Sequence, residues 1–317
     1  MALYVNEDQV AQLLTMEEAI GAVEEAFRMY GEGQAVNNPR SRIRLGHGML
    51  HLMAAALPQR GVMGFKAYTT FRGAARFLFL LYSTENGDLL ALMEADKLGQ
   101  MRTGATTGLA TKFMARADAR TLGMFGAGWQ ARSQLEAVCA VRPIERVKVF
   151  SRHAERRQAF CREMSERLQV DVQSVTEPDD ALDGVDIIVT ATTSRQPVFD
   201  GQKLPGGVHI NAIGSNSLIR REIDSETVSR CALIVVDSRD QAKREAGDLL
   251  PLIERGRLNW EQVHELREVV VGRVPGRRRN EEITLFKSLG LALEDVALGK
   301  LVYEKAIAQR VGEEVLS

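Results

Sequence analysis

The chain has 317 residues, with 41 lysines and arginines against 42 acidic residues, three cysteines and 45% hydrophobic residues. That length suits two domains of ordinary size, and the composition is that of a globular protein. A formal net charge of −1 offers no electrostatic case for nucleic acid or an anionic membrane surface, and no apolar run reaches the roughly 18 residues of a membrane span.

Met1 to Asp8 lack the basic start and apolar core of a signal peptide, so a cytoplasmic protein is expected. Cys139, Cys161 and Cys231 form no C-x-x-C and are expected to be reduced. Thr15-Met16-Glu17-Glu18 is a capping box, and Ile20, Val23, Phe27 and Tyr30 continue one helical face that Gly31 and Gly33 end. From Arg40 to Leu92 the pattern turns to strands: Ile43/Leu45, Leu50/Leu52, Gly64–Tyr68 and Phe77–Tyr82, with Asn86-Gly87 as a hairpin turn. A helix is expected from about Gln100 to Met114.

Leu122–Ala131 carries the most information. An apolar run enters Gly126-Ala127-Gly128-Trp129-Gln130-Ala131, the G-x-G-x-x-G/A turn of a dinucleotide-binding unit. The first glycine allows the tight turn, the second lets backbone approach a diphosphate, and the third small residue lets helix pack on strand. A helix over Trp129–Val141 and an alternating strand, Arg146–Phe150, follow. That strand ends in Ser151-Arg152, without the acidic residue that bonds the 2′-hydroxyl of NAD. An arginine there accommodates the 2′-phosphate of NADP, so NADP(H) is favoured and NAD(H) stays open. The alternative for Arg152 is a solvated side chain.

Further strands are expected at Val170–Val175, Val185–Thr190, Val208–Ile213 and Leu233–Asp237, with helices between them, which implies a parallel, doubly wound sheet. Arg277-Arg278-Arg279 beside Glu281-Glu282 is expected to be a solvated loop. A last helix is expected from about Ser288 to Ala308.

Outside the nucleotide unit, Arg40, Lys66 and Arg102 are cations suited to grip a substrate carboxylate; taken singly, each also fits a surface salt bridge. Lys66 sits inside a strand, where a charge is costly unless paired or exposed. Arg102 and Thr103 are expected to open their helix, where free N–H groups favour an anion. His51, among apolar residues, could titrate near neutrality, though a structural histidine is the commoner outcome. No histidine pair has metal-ligand spacing and no G-x-S-x-G elbow is present, so neither a catalytic metal nor a serine hydrolase is expected.

The chain resembles the ornithine cyclodeaminase/μ-crystallin superfamily nearly end to end. The marks are Pro39-Arg40, Leu52–Ala55, Gly64-Phe65-Lys66, Met101–Ala105, Gly126–Ala131, Thr190-Ala191-Thr192-Thr193, Asn211–Ser215, Arg221–Asp224, Glu245–Asp248 and Thr284–Gly290. The resemblance implies an α/β fold: a Rossmann-type NAD(P)-binding domain over about 116–294, and a discontinuous α+β dimerisation and substrate domain from 1–115 with about 295–317. It implies a homodimer, carboxylate binding by Arg40, Lys66 and Arg102, and cofactor contacts from Thr103, Gly126, Ala127, Gly128, Trp129, Gln130, Ser151, Arg152, Thr190, Ala191, Thr192, Ile213 and Gly214. Asn211 and Ala212 are implied near the nicotinamide.

Two carboxylates of the cyclodeaminases are missing. His51 stands where they have a glutamate, and Asn216 where they have an aspartate. The expected activity is therefore NAD(P)H-dependent reduction of a small imino acid or cyclic ketimine, of the pyrroline- or piperideine-2-carboxylate type, to the amino acid. Lys66, His51 and a water are the candidate proton sources. Alternatives are an ornithine or other amino-acid cyclodeaminase, an alanine-type dehydrogenase, or a μ-crystallin-like NADPH-containing ligand-binding protein.

Overall fold

The structure, a computed structural model, describes residues 2–71 and 74–315. Met1, Leu316 and Ser317, counted into the expected first domain, lie outside the described residues. The chain divides into two compact units, Met1–Ala105 with Gly290–Ser317, and Thr106–Leu289. The sequence reading drew these divisions near 115 and 295.

The first unit is built on a sheet of β1 (Ala2–Val5), β2 (Val36–Asn37), β3 (Ser41–Leu45), β4 (Gly48–Leu57), β5 (Val62–Phe71), β6 (Ala74–Ser83), β7 (Leu89–Glu94) and a short strand, Glu313–Val315. The order is Glu313–Val315, β1, β7, β6, β5, β4, β2, with β3 also paired to β4. β1 and β7 run parallel; the other pairings are antiparallel. Successive residues alternate between faces. Met53, Ala55, Leu57, Val62, Phe79 and Leu81 are buried beneath the last helix, Ala292–Gln309. The opposite face carries the cross-strand trios Leu52/Ala67/Leu78, Ala54/Phe65/Leu80 and Ala56/Met63/Tyr82. These nine side chains are apolar, and Leu52, Met63 and Leu78 are exposed.

Two glycines bring the last helix close to the sheet. A Cβ on Gly64 of β5 would come within 2.8 Å of the buried Phe79 ring, and one on Gly299 of the helix would collide with that ring. Glu294 and Asp295, about one turn earlier, are thereby pressed against the sheet and fully buried. This helix begins at Ala292 rather than Ser288, because Thr284–Lys287 forms a strand.

Helices α1 (Glu7–Leu13) and α2 (Met16–Gly31) complete the N-terminal part, and α2 carries the expected box: Glu18 N–H donates to Thr15 Oγ1 and Thr15 N–H to the Glu18 carboxylate. The next helix corrects an expectation. α3 spans Asp96–Met114, and its first N–H groups, from Asp96 and Lys97, donate to the Glu7 carboxylate at 2.7 and 2.8 Å. Arg102 and Thr103 thus lie in its second turn and offer no free N–H groups to an anion.

The second unit is an eight-stranded, fully parallel sheet: β8 (Thr121–Phe125), β9 (Arg146–Phe150), β10 (Asp171–Ser174), β11 (Ile187–Thr190), β12 (His209–Ala212), β13 (Leu233–Val236), β14 (Val263–Glu265) and β15 (Thr284–Lys287). Its order is β10-β9-β8-β11-β12-β15-β13-β14. Central parallel strands are covered on both faces, and β8 and β11 are accordingly almost wholly apolar and buried. Leu122, Met124, Ile187 and Val189 enter one core cluster, while Phe125, Ile188, Ile210 and Ala212 enter another.

Helices α4 (Trp129–Val141) and α5 (Ala154–Leu168) follow β8 and β9. The helices expected before β11 and β12 are absent. The connections there are the 3₁₀ turns Asp179–Ala181 and Gly201–Lys203, and the first packs so tightly on β8 that any Cβ on Gly123 would strike the Ala181 carbonyl. In the expected solvated loop Arg278 and Arg279 are exposed, but Arg277 is half-buried. It donates to the Met114, Asn280 and Glu282 carbonyls and to Thr284 Oγ1, tying its loop to the unit. No helix among the described residues is long and apolar enough to cross a membrane.

Gly299→Val is expected to lower unfolding stability by about 1–3 kcal/mol, the usual range for overpacking a filled core. A denaturant midpoint equal to wild type would refute the close helix–sheet approach.

Candidate active site

The first unit gathers the three expected cations around two acids. Lys66, 2% exposed on β5, donates from Nζ to Asp295 Oδ1 at 2.6 Å. Arg102 reaches the same oxygen from Nε at 3.3 Å and donates from Nη1 to Glu294 Oε2 at 2.7 Å. Arg40 donates from Nη2 to the Gly290 carbonyl at 3.1 Å. Gly290 has φ +79°, and a Cβ there would collide with the Arg102 guanidinium, so this glycine is where both arginines converge. None of the three is a surface salt bridge.

Burial, reinforced by Arg102 and Arg40, pushes the Lys66 pKa down to about 8, with Asp295 resisting the fall. For Arg102 burial also opposes the charge, but Asp295 and Glu294 outweigh it and raise the pKa, so the guanidinium stays charged. His51 does not titrate near neutrality. Burial, with Arg42, Arg40 and Arg44, pushes it down to about 4. Its ring stacks on Tyr68 at 4.1 Å, Arg42 Nε donates to its Nδ1, and its Nε2 lies 3.0 Å from Thr70 Oγ1. It is a satisfied structural histidine.

The second unit holds a cavity of about 510 Å³ at the carboxyl ends of β8, β9 and β11. The chain moves outward from β8 through β9 and β10, then returns to place β11 on the other side of β8, and such a reversal opens a crevice for ligands. Of the expected residues, Gly126, Ala127, Gly128, Ser151, Arg152, Ala191 and Thr192 line it; His153, Arg156, Thr193, Ser194 and Gln196–Val198 line it as well.

The two glycines do different work. Gly126 has φ +111° and a Cβ there would strike the Ala191 carbonyl, so it is required by the turn itself. A Cβ on Gly128 would meet nothing within 4 Å: the space it would fill is open. Gly128 is the N-cap of α4 and has no side chain to occupy that helix's first N–H groups. An open cradle before a helix N-terminus fits a diphosphate.

The remaining expected residues lie elsewhere. Thr103, in the first unit, donates from Oγ1 to the Gly99 carbonyl. Trp129 is exposed and Gln130 half-buried in the first turn of α4, neither lining the cavity. Asn211 is bound between Thr111 and His209, and Ile213 N–H donates to the Thr190 carbonyl. Thr190 and Gly214 are drawn to Glu222. That fully buried carboxylate accepts from Thr190 Oγ1 at 2.9 Å, Thr192 N–H and Oγ1 at 2.7 Å each, and Gly214 N–H at 2.5 Å. Glu222 N–H in turn donates to Asp248, which pairs with buried Lys287 at 2.9 Å. Glu222 thus pins the strand-end segment that forms part of the cavity wall. Sequence reading marked Arg221–Asp224 and Glu245–Asp248 but gave them no task. Among the described residues no group of three or more His, Cys, Asp or Glu could hold a metal ion.

Residues 3–310 match the sequence pattern of the ornithine cyclodeaminase/mu-crystallin family. The chain belongs to that family. It is similar to an alanine dehydrogenase of Archaeoglobus fulgidus, 36% identical over 99% of this chain and 98% of that protein. Among solved structures it resembles a Thermococcus litoralis Δ¹-pyrroline-2-carboxylate reductase in complex with NADH and L-proline (37% identity, TM-score 0.95, covering 99% and 100% of the two chains). An archaeal alanine dehydrogenase dimer with bound NAD gives 35% identity and a TM-score of 0.93, covering 99% of each chain.

Gly128→Val is expected to fold normally and to bind NADH and NADPH at least tenfold more weakly, measured by fluorescence titration. Unchanged cofactor affinity would remove the open cradle from the binding site.

Proposed function

We propose that this protein is an NAD(P)H-dependent reductase of small imino acids, cyclic ketimines of the pyrroline-2-carboxylate type foremost. The observation that carries the reading is the buried gathering of Arg40, Lys66 and Arg102, because three desolvated cations brought to one place are suited to a substrate carboxylate. The relatives support it, one named for pyrroline-2-carboxylate reduction and another for alanine oxidation.

The nicotinamide cofactor supplies the hydride when bound. Gly126, Gly128, Ser151, Arg152 and Thr192 would hold it. Arg40, Lys66 and Arg102 hold the carboxylate and so fix the orientation of the imine, catalysis chiefly by positioning. The imine nitrogen gains a proton as its carbon is reduced. Lys66 is the better donor of the two side chains considered: with its pKa near 8 it is protonated at neutral pH yet able to give the proton up, whereas His51 is already neutral.

NADPH is the favoured cofactor. No acidic side chain follows β9, and Arg152 and Arg156 both line the cavity beside Ser151. The protein acts as a homodimer, with the apolar outer face of β4, β5 and β6 as the contact surface, since a patch of nine apolar side chains on a sheet marks an interface.

An alanine-type dehydrogenase is the second reading, running the same chemistry on an acyclic substrate. A cyclodeaminase is disfavoured: the second ammonium of ornithine needs a carboxylate partner, and His51 and Asn216 supply none. A mu-crystallin-like binder would hold NADPH without consuming it.

With NADPH and 1-pyrroline-2-carboxylate, loss of the cofactor's absorbance and formation of proline are expected, with lower KM for NADPH than for NADH and no proline from ornithine. Release of ammonia from ornithine without net cofactor change, or no oxidation with cyclic or acyclic imino acids, would overturn the proposal.

A further inference from the structure

Among the described residues, the buried cations Lys66, Arg102 and Lys287 each pair with a carboxylate. Arg157 on α5 is also buried, at 6% exposure, but its partners are two neutral oxygens and it pairs with no acid. Its Nε donates to Ser174 Oγ at 2.7 Å, and its Nη1 to the Ser151 carbonyl at 2.5 Å. Ser174 ends β10 and Ser151 follows β9, so one guanidinium bridges the carboxyl ends of two neighbouring strands. A guanidinium stays charged, and a desolvated charge without a counter-ion is costly. The bridge also orients the next peptide. Across a trans peptide the carbonyl and the following N–H point in opposite directions. With the Ser151 carbonyl drawn to Arg157, the Arg152 N–H is turned away from it, and that N–H has no hydrogen-bond partner among the described residues. Ser151 and Arg152 both line the cavity.

We infer that Arg157 is a positioning residue for the cofactor's 2′-phosphate: it turns the Ser151–Arg152 peptide so that the N–H serves that group, and it stands behind the peptide as a positive charge for an anion to match. The inference rests on NADPH being the favoured cofactor. A carbonyl oxygen in place of the N–H would repel a phosphate, whereas a backbone N–H donates to one. A phosphate monoester carries about −1.5 to −2 charges at neutral pH. The 2′-hydroxyl of NADH carries none, so a change at Arg157 acts on the two cofactors unequally. Arg152 and Arg156 are exposed, and water and salt weaken their pull. Arg157 is shielded from solvent, so its charge acts through a lower dielectric.

The test titrates NADPH and NADH separately into the protein at neutral pH, followed by the fluorescence of the reduced nicotinamide. Wild type is expected to bind NADPH at least tenfold more tightly than NADH. Arg157→Leu should weaken NADPH at least tenfold and NADH less than threefold, so the ratio of the two dissociation constants moves toward NADH. Arg157→Lys keeps the charge but lacks the planar fork that reaches both oxygens. It should move the ratio less and in the same direction, and it serves where Arg157→Leu does not fold.

A merely structural brace would weaken both cofactors together and leave the ratio unchanged. An unchanged ratio in a folded variant would overturn the inference while the NADPH preference of wild type stood. Equal affinity of wild type for the two cofactors, or binding of neither, would overturn the preference and the inference together. The titration does not depend on turnover. A protein that shows the expected ratios but reduces no imine would refute the proposed reaction and leave this inference standing.

Discussion

The ion pair between Lys66 and Asp295, 2.6 Å apart with both side chains out of solvent, is the contact on which the first unit's chemistry depends. A lone ammonium in the middle of a sheet would be driven to its neutral form, because desolvation of a charge far exceeds what the surrounding strand can return. Asp295 keeps the lysine charged, but only if the last helix lies close enough to the sheet to bring the carboxylate to it. That distance is set by Gly64, Gly299 and the Phe79 ring between them. Arg102 on α3 joins through the same Asp295 oxygen, so three elements meet at one carboxylate. Removing Asp295 would leave the Lys66 charge buried without its acid, a far larger loss than any surface ion pair represents.

The second unit solves a different problem with uncharged backbone. A diphosphate in its cavity would need space beside a helix N-terminus, and Gly128 leaves that space open by having no side chain. The segment after β11 must also stay in place, since Ala191 and Thr192 line the cavity. Glu222 holds it with three accepted hydrogen bonds and takes a fourth from Gly214, satisfying the carboxylate that burial would otherwise penalise. Each unit therefore relies on fully buried acids, Glu294 and Asp295 in the first and Glu222 in the second.

What could be read from the sequence was local. The turn at Gly126–Ala131 shows its purpose because its constraints fall within a few residues of one another, and apolar β8 and β11 show theirs because both faces are covered. The Thr15–Glu18 box is equally self-contained. The start of α3 was misplaced because the carboxylate that satisfies it, Glu7, lies far away in the chain. Glu294 and Asp295 were overlooked for the same reason. They stand in an apolar helical stretch, and their partners Lys66 and Arg102 are brought to them only by the fold. The cations were visible as candidates, but their counter-charges were not, so neither the pKa of Lys66 nor the exclusion of His51 could be anticipated. Arg277 misled in the opposite sense: it reads as part of a solvated basic run, yet besides carbonyls of its own loop it bonds that of distant Met114.

The central claim is that Lys66 is a titrating cation that grips a carboxylate. Its charge faces Asp295, Arg102 and Arg40, and the balance of burial and these neighbours puts its pKa near 8. The group is charged below that pKa and neutral above it, so carboxylate affinity must be full at neutral pH and fall as the pH rises through about 8. The most direct measurement is the affinity of the NADH-loaded protein for pyrrole-2-carboxylate as a function of pH, in wild type and in Lys66→Met. A charge-assisted hydrogen bond contributes on the order of 1.5–3 kcal/mol, so the variant should bind at least about tenfold more weakly at neutral pH and lose the decline. Wild-type affinity that does not change across that pH range, or a Lys66→Met protein that keeps both the affinity and the decline, would contradict the account.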